Sequence, residues 1–106
     1  MEAMKDLIPW AAGLFEGEGS IHKRDNSLRL KMCDLDVVER FRDTFGVGTI
    51  VTEYPANPKH SIIHCWSVYG SYNVRRILGM MLPYFGERRA YAALNRLDLI
   101  ESKLWN

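Results

Sequence analysis

The residues best suited to chemistry are two carboxylates, each followed by a glycine: Glu16-Gly17-Glu18-Gly19. An apolar run, Trp10-Ala11-Ala12-Gly13-Leu14-Phe15, leads straight into them. Oxygen-only ligands favour hard divalent ions such as Mg²⁺ or Ca²⁺. Held between acidic ligands, such ions activate water and stabilise a leaving alkoxide, which is what phosphodiester hydrolysis requires. The plain alternative is that Glu16 and Glu18 are solvated residues at a helix end. A second group of residues suits a polyanionic partner. Lys23, Arg24, Arg29 and Lys31 crowd one short stretch, although Glu18, Asp25 and Asp34 offset them in sum. Direction therefore matters more than total charge.

The surrounding pattern says how these residues are held. Pro9 suits the first turn of a helix, because its missing N–H would be unpaired there anyway. The first helix is expected from about residue 7 to residue 17, with Gly19 breaking it. Gly13 and Gly17, four apart, share one helix face without side chains, so a second helix can pack closely there. Glu18 then sits where a helix ends and a strand begins. Residues 20–24 and 27–33 alternate around Asp25-Asn26, a turn-type pair. Ile21, Leu28, Leu30 and Met32 point one way; Ser20, His22, Arg24, Arg29 and Lys31 point the other. This is a hairpin with one buried and one basic face. Asp34 is placed to cap a second helix over residues 35–45, with Leu35, Val38, Phe41 and Phe45 as its apolar face and Gly46 ending it. Residues 47–54 and 61–69 form a second hairpin around the Pro-rich loop 55–60. Ile62, His64, Trp66 and Val68 share one side; Ser61, Ile63, Cys65 and Ser67 share the other, less clean side. Ser71 caps a third helix over 72–81, Pro83 interrupts, and a fourth helix runs over about 87–104. Residues 1–6 read as a frayed, polar start. Trp10, Trp66, Leu78, Met81, Tyr84 and Leu94 read as core, and His64 as a half-buried, satisfied histidine.

The expected fold is α+β, of order αββαββα with a further C-terminal helix, the helices covering one face of an antiparallel sheet. The other face is left open, with polar and basic side chains.

The whole-chain properties set bounds. The sequence has 106 residues, 47% hydrophobic and 25% charged, with a net charge of +1. That suits a single domain over 1–106. Nucleic-acid binding would have to come from local clustering of charge. Cys33 and Cys65 are far apart, show no metal-ligand spacing, and read as reduced thiols. No apolar run approaches the roughly 20 residues of a membrane span, and no secretory leader is evident. The expected location is the cytoplasm, or the interior of a host organelle or phage-infected cell, and not outside the cell. No phosphate-binding glycine loop is present, since Gly17-Glu18-Gly19-Ser20 lacks the lysine and spacing.

Residues 11–19, AAGLFEGEG, resemble the nine-residue signature of the LAGLIDADG homing endonucleases, with Glu16 and Glu18 at its two acidic positions. Ala11, Phe15 and Gly17 are small or apolar departures from the usual residues. Phe45-Gly46-Val47-Gly48-Thr49-Ile50 and Leu82-Pro83-Tyr84-Phe85-Gly86-Glu87-Arg88-Arg89 look like the family's later landmarks, in the same order. The resemblance implies a saddle-shaped sheet lying in the DNA major groove. It also implies two copies packed as a homodimer through Ala12, Gly13, Glu16 and Gly17. Metal would be bound at Glu18 with Gly17, with Mg²⁺ as cofactor, Mn²⁺ as a possible substitute and Ca²⁺ as a non-cleaving one; no small-molecule cofactor is implied. Two copies meeting at Gly13 and Gly17 would bring both Glu18 side chains together, and like charges that close call for a cation.

Three candidates follow for catalysis. Glu18 is the family's metal-binding acid, while Glu16 reads as structural. Arg88 stands where the family carries a lysine after the Pro-containing turn, with Arg89 as a substitute. Asp34 either orders solvent near the metals or serves only as a helix cap. The residues expected to contact double-stranded DNA are His22, Arg24, Asn26, Arg29, Lys31, Thr49, Val51, Glu53, Lys59, Ser61 and Ser67, with His60 beside them. Arg is suited to guanine and Glu53 to cytosine. The implied activity is site-specific, metal-dependent cleavage of both strands of a long, pseudo-palindromic duplex. Two alternatives stand beside it: a cleavage-inactive DNA- or RNA-binding module of the same fold, and a dimeric scaffold for which GxxxG-like packing is the whole account.

Overall fold

The computed structural model describes residues 4–105, with side chains to Asp98. Its elements are α1 (Ile8–Glu18), β1 (Gly19–His22), β2 (Ser27–Met32), α2 (Leu35–Phe45), β3 (Thr49–Glu53), β4 (Ile63–Tyr69), α3 (Ser71–Met81) and α4 (Glu87–Trp105). Short 3₁₀ turns at Lys5–Leu7 and Leu82–Tyr84 lead into α1 and α4. The four strands form one antiparallel sheet in the order β1-β2-β4-β3. The α+β class and element order expected from the sequence are those observed.

The sheet is two-sided because its side chains alternate. Leu28, Leu30, Trp66 and Val68 are buried beneath the helices. Ala11, Ala12 and Phe15 of α1, Val38, Phe41 and Phe45 of α2, and Val74, Ile77, Leu78 and Met81 of α3 complete that core, with Ala93 from α4. Phe41 lies at its centre. It meets Trp66 edge-on at 4.8 Å and Phe45 at 5.2 Å, and lies nearly parallel to Phe15 at 6.2 Å. Such aromatic pairs add about 0.5–1.5 kcal/mol beyond the area they bury. Trp66 also donates Nε1–H to the Val47 carbonyl at 3.0 Å. Gly48, at φ 112°, lies against that indole so closely that a Cβ would overlap the ring.

The helix-to-strand junction after α1 depends on a second close approach. Gly19 has extended dihedrals, so its backbone needs no glycine. Space does, because a Cβ there would overlap the Phe15 ring. Phe15 is held by Phe41 on one side and Phe85, at 6.1 Å, on another.

Several local expectations need correction. The β1–β2 turn is longer than a two-residue hairpin turn. β1 stops at His22, and residues 23–26 form the turn, so Arg24 lies off the strand. β4 starts at Ile63, so Ser61 and the exposed Ile62 precede it. Asp34 makes no side-chain cap; its backbone carbonyl accepts from Val37 and Val38 instead. Ser71 is the first residue of α3 rather than its cap. Leu35, Tyr84 and Leu94 are 40%, 53% and 47% exposed, so they lie outside the core. Leu35 and Leu94 sit at apolar-periodic helix positions and Tyr84 in the 3₁₀ turn, but the neighbouring layer reaches none of them. The expectation of fraying over residues 1–6 lies outside the described residues for 1–3. Met4 is tied down, donating its N–H to the Thr44 carbonyl at 2.7 Å.

Candidate functional site

Strand pairing assembles the uncovered face row by row. Ser20, Arg29, Ser67 and Thr49 form one row across all four strands, because Arg29 pairs with both Ser20 and Ser67, and Ser67 with Thr49. Lys31, Cys65 and Val51 form the next row. Glu53 pairs with Ile63 beyond it, and His22, Ser27 and Tyr69 lie on the other side. The polar side expected from alternation is thus one continuous surface. Its imperfections are also as read: Ile63 and Cys65 lie on it. Cys65 is buried there, and burial pushes its thiol up from the ordinary range.

Charges on this surface are internally paired. Arg29 Nη2 donates to Asp25 Oδ2 at 2.5 Å, and Ser27 Oγ donates to the other Asp25 oxygen at 2.7 Å. The Ser27 hydrogen bond, with the Arg29 charge, holds the Asp25 carboxyl below its usual range. Lys31 Nζ and Glu53 Oε1 are 3.6 Å apart. The loop between β3 and β4 adds exposed Lys59, His60 and Ser61 at one end of the face. His22 shares a 2.9 Å hydrogen bond with Ser20.

Asn26 does not belong to this face, which corrects its place among the expected DNA contacts. At φ 54° it turns its amide toward the helices. Nδ2 donates to Ser71 Oγ at 2.9 Å, and Oδ1 accepts from Arg96 Nε at 3.2 Å. Its carbonyl accepts from Gly70 N–H at 3.1 Å. With Nδ2 and Oδ1 both engaged internally, Asn26 fastens the turn to α3 and α4. Arg96, buried at 3% exposure, is a clamp residue that the sequence pattern did not single out.

At the β1 edge the face meets the end of α1. Glu18 is exposed, the last residue of that helix, and its side chain makes no hydrogen bond or ion pair with another described residue. A negative charge at a helix C-terminus opposes the helix dipole, so nothing local favours it there. Glu16, by contrast, is used up structurally. Its Oε1 accepts from Gly86 N–H at 2.5 Å, and its Oε2 lies 3.7 Å from Arg89 Nε. Arg89 also donates Nη2–H to the Glu16 carbonyl at 3.1 Å and lies over the Phe15 ring at 5.5 Å. The start of α4 is thereby locked to the last turn of α1. Arg88, next to that lock, is exposed and makes no ion pair with a described residue.

The opposite side of α1 is bare. Pro9, Gly13 and Gly17 are exposed, and a Cβ on either glycine would meet no atom within 4 Å. Trp10 and Leu14 flank them, partly buried. Two residues expected on this face are elsewhere. Ala12 is fully buried within the chain's own core, and Glu16 faces α4. Helical rotation explains both, since Ala12 falls on the stripe of Ile8 and Phe15, away from Gly13 and Gly17.

No protein-family model and no curated protein matches this sequence. Two solved structures of the homing endonuclease I-CvuI superpose on it with a TM-score of 0.71. One holds the I-CreI target (C1221) in 2 mM Mg, with the DNA not cleaved; it is 18% identical, covering 92% of this chain and 68% of that one. The other holds its own target (Sro1.3) in 2 mM Ca, at 17% identity, covering 92% and 67%. This chain has the homing endonuclease fold.

Within that fold, the end of α1 offers few donors for a metal. Among the described residues no three His, Cys, Asp or Glu side chains are gathered to hold an ion. One free carboxylate beside helix-end carbonyls is the kind of oxygen set that Mg²⁺ accepts, because that ion takes one or two carboxylates and fills its shell with phosphate oxygens and water. The residues present fit an open site completed by phosphate oxygens and water rather than a closed cage. No helix among the described residues is long and apolar enough to cross a membrane.

Proposed function

We propose that this chain is a site-specific, homing-type DNA endonuclease that acts as a homodimer on a long pseudo-palindromic duplex. The observation that carries this reading is the open sheet face running without interruption to the unpaired carboxylate of Glu18. A sheet covered by helices on one side and left polar on the other needs a partner of its own. The I-CvuI structures that share this fold hold DNA targets, which supports duplex DNA as that partner.

The α1 surface supports the dimer. A helix apolar all round is a buried helix, yet one side of α1, at Pro9, Gly13 and Gly17, is uncovered in a single copy. A second copy on that side would bring the two Glu18 side chains together. Two-fold protein symmetry then asks for a matching symmetry in the DNA.

Glu18 of each copy, with Gly17 beside it, would hold Mg²⁺, with Mn²⁺ as a substitute and Ca²⁺ supporting binding alone. Such an ion supplies Lewis-acid stabilisation of phosphate and activation of water when bound. The chain's own residues do the rest. Arg88, held at the start of α4 by the Glu16 lock, offers its guanidinium to developing phosphate charge; arginine does not serve as proton donor or acceptor. Exposed Asp34 orders solvent. Arg29, Lys31, Thr49, Val51, Glu53 and Ser67 contact bases and phosphates from the sheet, joined by His22, Arg24, Lys59 and Ser61 at its margins. The compartment that fits is a DNA-containing cell or organelle interior, and residues 1–106 read as one domain within each copy of the dimer.

Arg88 favours a second reading, a cleavage-inactive DNA- or RNA-binding module, because the resemblance calls for a lysine there. Cleavage of a randomised duplex library, with sequencing of the ends, separates the two. The parent and Glu18→Gln are run in Mg²⁺ and in Ca²⁺. Defined, palindromic ends in Mg²⁺ alone, lost in Glu18→Gln, support the nuclease. Retention of a consensus duplex in Ca²⁺ without cut ends in any condition supports the binding module. Gly13→Leu, tested by sedimentation, should give monomers; an unchanged dimer would refute the α1 interface.

A further inference from the structure

Arg29 stands in the middle of the row that crosses all four strands, yet one of its donors is already taken by Asp25. Asp25, 40% exposed at its side chain, is tethered beside it. Ser27 holds its other oxygen. The next residue, Asn26, is fastened to Gly70, Ser71 and Arg96. Meanwhile Arg29 Nε is buried with no acceptor among the described residues. A guanidinium carries five N–H donors in a rigid plane. Here one end of that plane is set by an internal carboxylate, and donors remain for something else. The Lys31–Glu53 pair is different: at 3.6 Å, with side chains 53% and 54% exposed, it restrains little.

We propose that Asp25 is the positioning residue that turns Arg29 from a phosphate binder into a base reader. An anion fixed beside a guanidinium cancels its charge toward other anions, so phosphates of arbitrary DNA gain little from it. A guanine edge is neutral and presents two acceptors, O6 and N7, to such a plane. Asp25 can keep its own hydrogen bond while the free edge of Arg29 faces the base. The pair thus subtracts from sequence-independent affinity and leaves sequence reading intact. This inference rests on the DNA-binding reading above.

The test is binding of a random-sequence duplex in Ca²⁺ across a salt series. It uses the parent, Asp25→Asn, Arg29→Gln, the double variant, and Asp36→Asn as an exposed acid on the helical layer. Asp25→Asn keeps an oxygen for Ser27, and Asp25→Ser is run alongside in case the amide disturbs the turn. A released arginine that neutralises one more phosphate steepens the log–log salt slope by about 0.9, which is roughly eightfold tighter binding at 0.1 M salt. That gain should vanish in the Arg29→Gln background and be absent in Asp36→Asn. In the selected library, Asp25→Asn should also flatten the guanine preference beneath Arg29. An unchanged slope, an equal gain without Arg29, or an equal gain from Asp36→Asn overturns the inference while the DNA-binding reading stands. A parent that binds no duplex in a salt-dependent way overturns both.

Discussion

Replacing Glu16 by alanine should loosen the end of α1 from the start of α4 and cost about 2 kcal/mol. Two interactions are lost. The Gly86 N–H gives up a charged acceptor at 2.5 Å, and a hydrogen bond to a charged group contributes about 1.5–3 kcal/mol. Because Glu16 is 33% exposed at its side chain, the lower end of that range applies. The Arg89 pair, at 3.7 Å, adds a few tenths of a kcal/mol after solvent screening. For a chain of this length each kcal/mol moves Tm by about 4–8 °C, so thermal unfolding should shift down by about 10 °C. Glu16→Gln retains an oxygen for Gly86 and should lose about half as much. In Arg89→Gln the remaining effect of Glu16→Ala should shrink only slightly, because the Gly86 hydrogen bond dominates. A Tm for Glu16→Ala within 2 °C of the parent would refute the lock, and with it the argument that Arg88 is held in place by it.

Further outcomes follow from the same structure. Gly19→Ala forces a methyl into a Phe15 ring already held by Phe41 and Phe85, and should destabilise by about 1–3 kcal/mol; the same Tm assay checks it. Glu18→Gln touches no described partner and should leave Tm unchanged, so a fall of several degrees would assign Glu18 a structural role. Alkylation at pH 8 should modify exposed Cys33 rapidly and buried Cys65 slowly, with both reacting in denaturant, as counted by intact mass. The Asp25 carboxyl is depressed in the fold, so its contribution is present above its unfolded pKa of about 3.9 and lost as pH falls through the lower folded value. The Tm difference between Asp25→Asn and the parent should therefore stay flat from pH 5 to 8 and close only in stronger acid.

Alternation made most of the sheet legible. Leu28/Arg29/Leu30/Lys31 assigns faces with no knowledge of the partners, and α2 falls on residues 35–45 because Gly46 ends it cleanly. What stayed hidden depended on distance in the chain. Nothing local to Asn26 reveals that Arg96 and Ser71 will take its amide, and nothing local to Glu16 announces Gly86 and Arg89. Apolar periodicity says that Leu94 lies on a stripe, but not that the stripe runs past the edge of the core. The same blindness put Ala12 on an interface when the chain's own core claims it. The Asp25 contacts are the exception, being local: Asp25-x-Ser27 is a short-range acceptor–donor spacing, and Arg29 adds an opposite charge four residues on.

Alternation on the sheet also bears on how such a surface can change over time. Residues on one face recur about every 6.8 Å along a strand, and strands lie about 4.8 Å apart. Stacked bases repeat every 3.4 Å along each nucleic-acid strand. For a duplex lying along the strands, each exposed position therefore answers to about two base pairs. Thr49, Val51 and Glu53 can vary while Ile50 and Thr52, facing the helices, keep the packing. A new target can then be approached one small patch at a time, each intermediate still folded. Arg29 is the place where this independence ends, because a change there also unsettles the turn through Asp25.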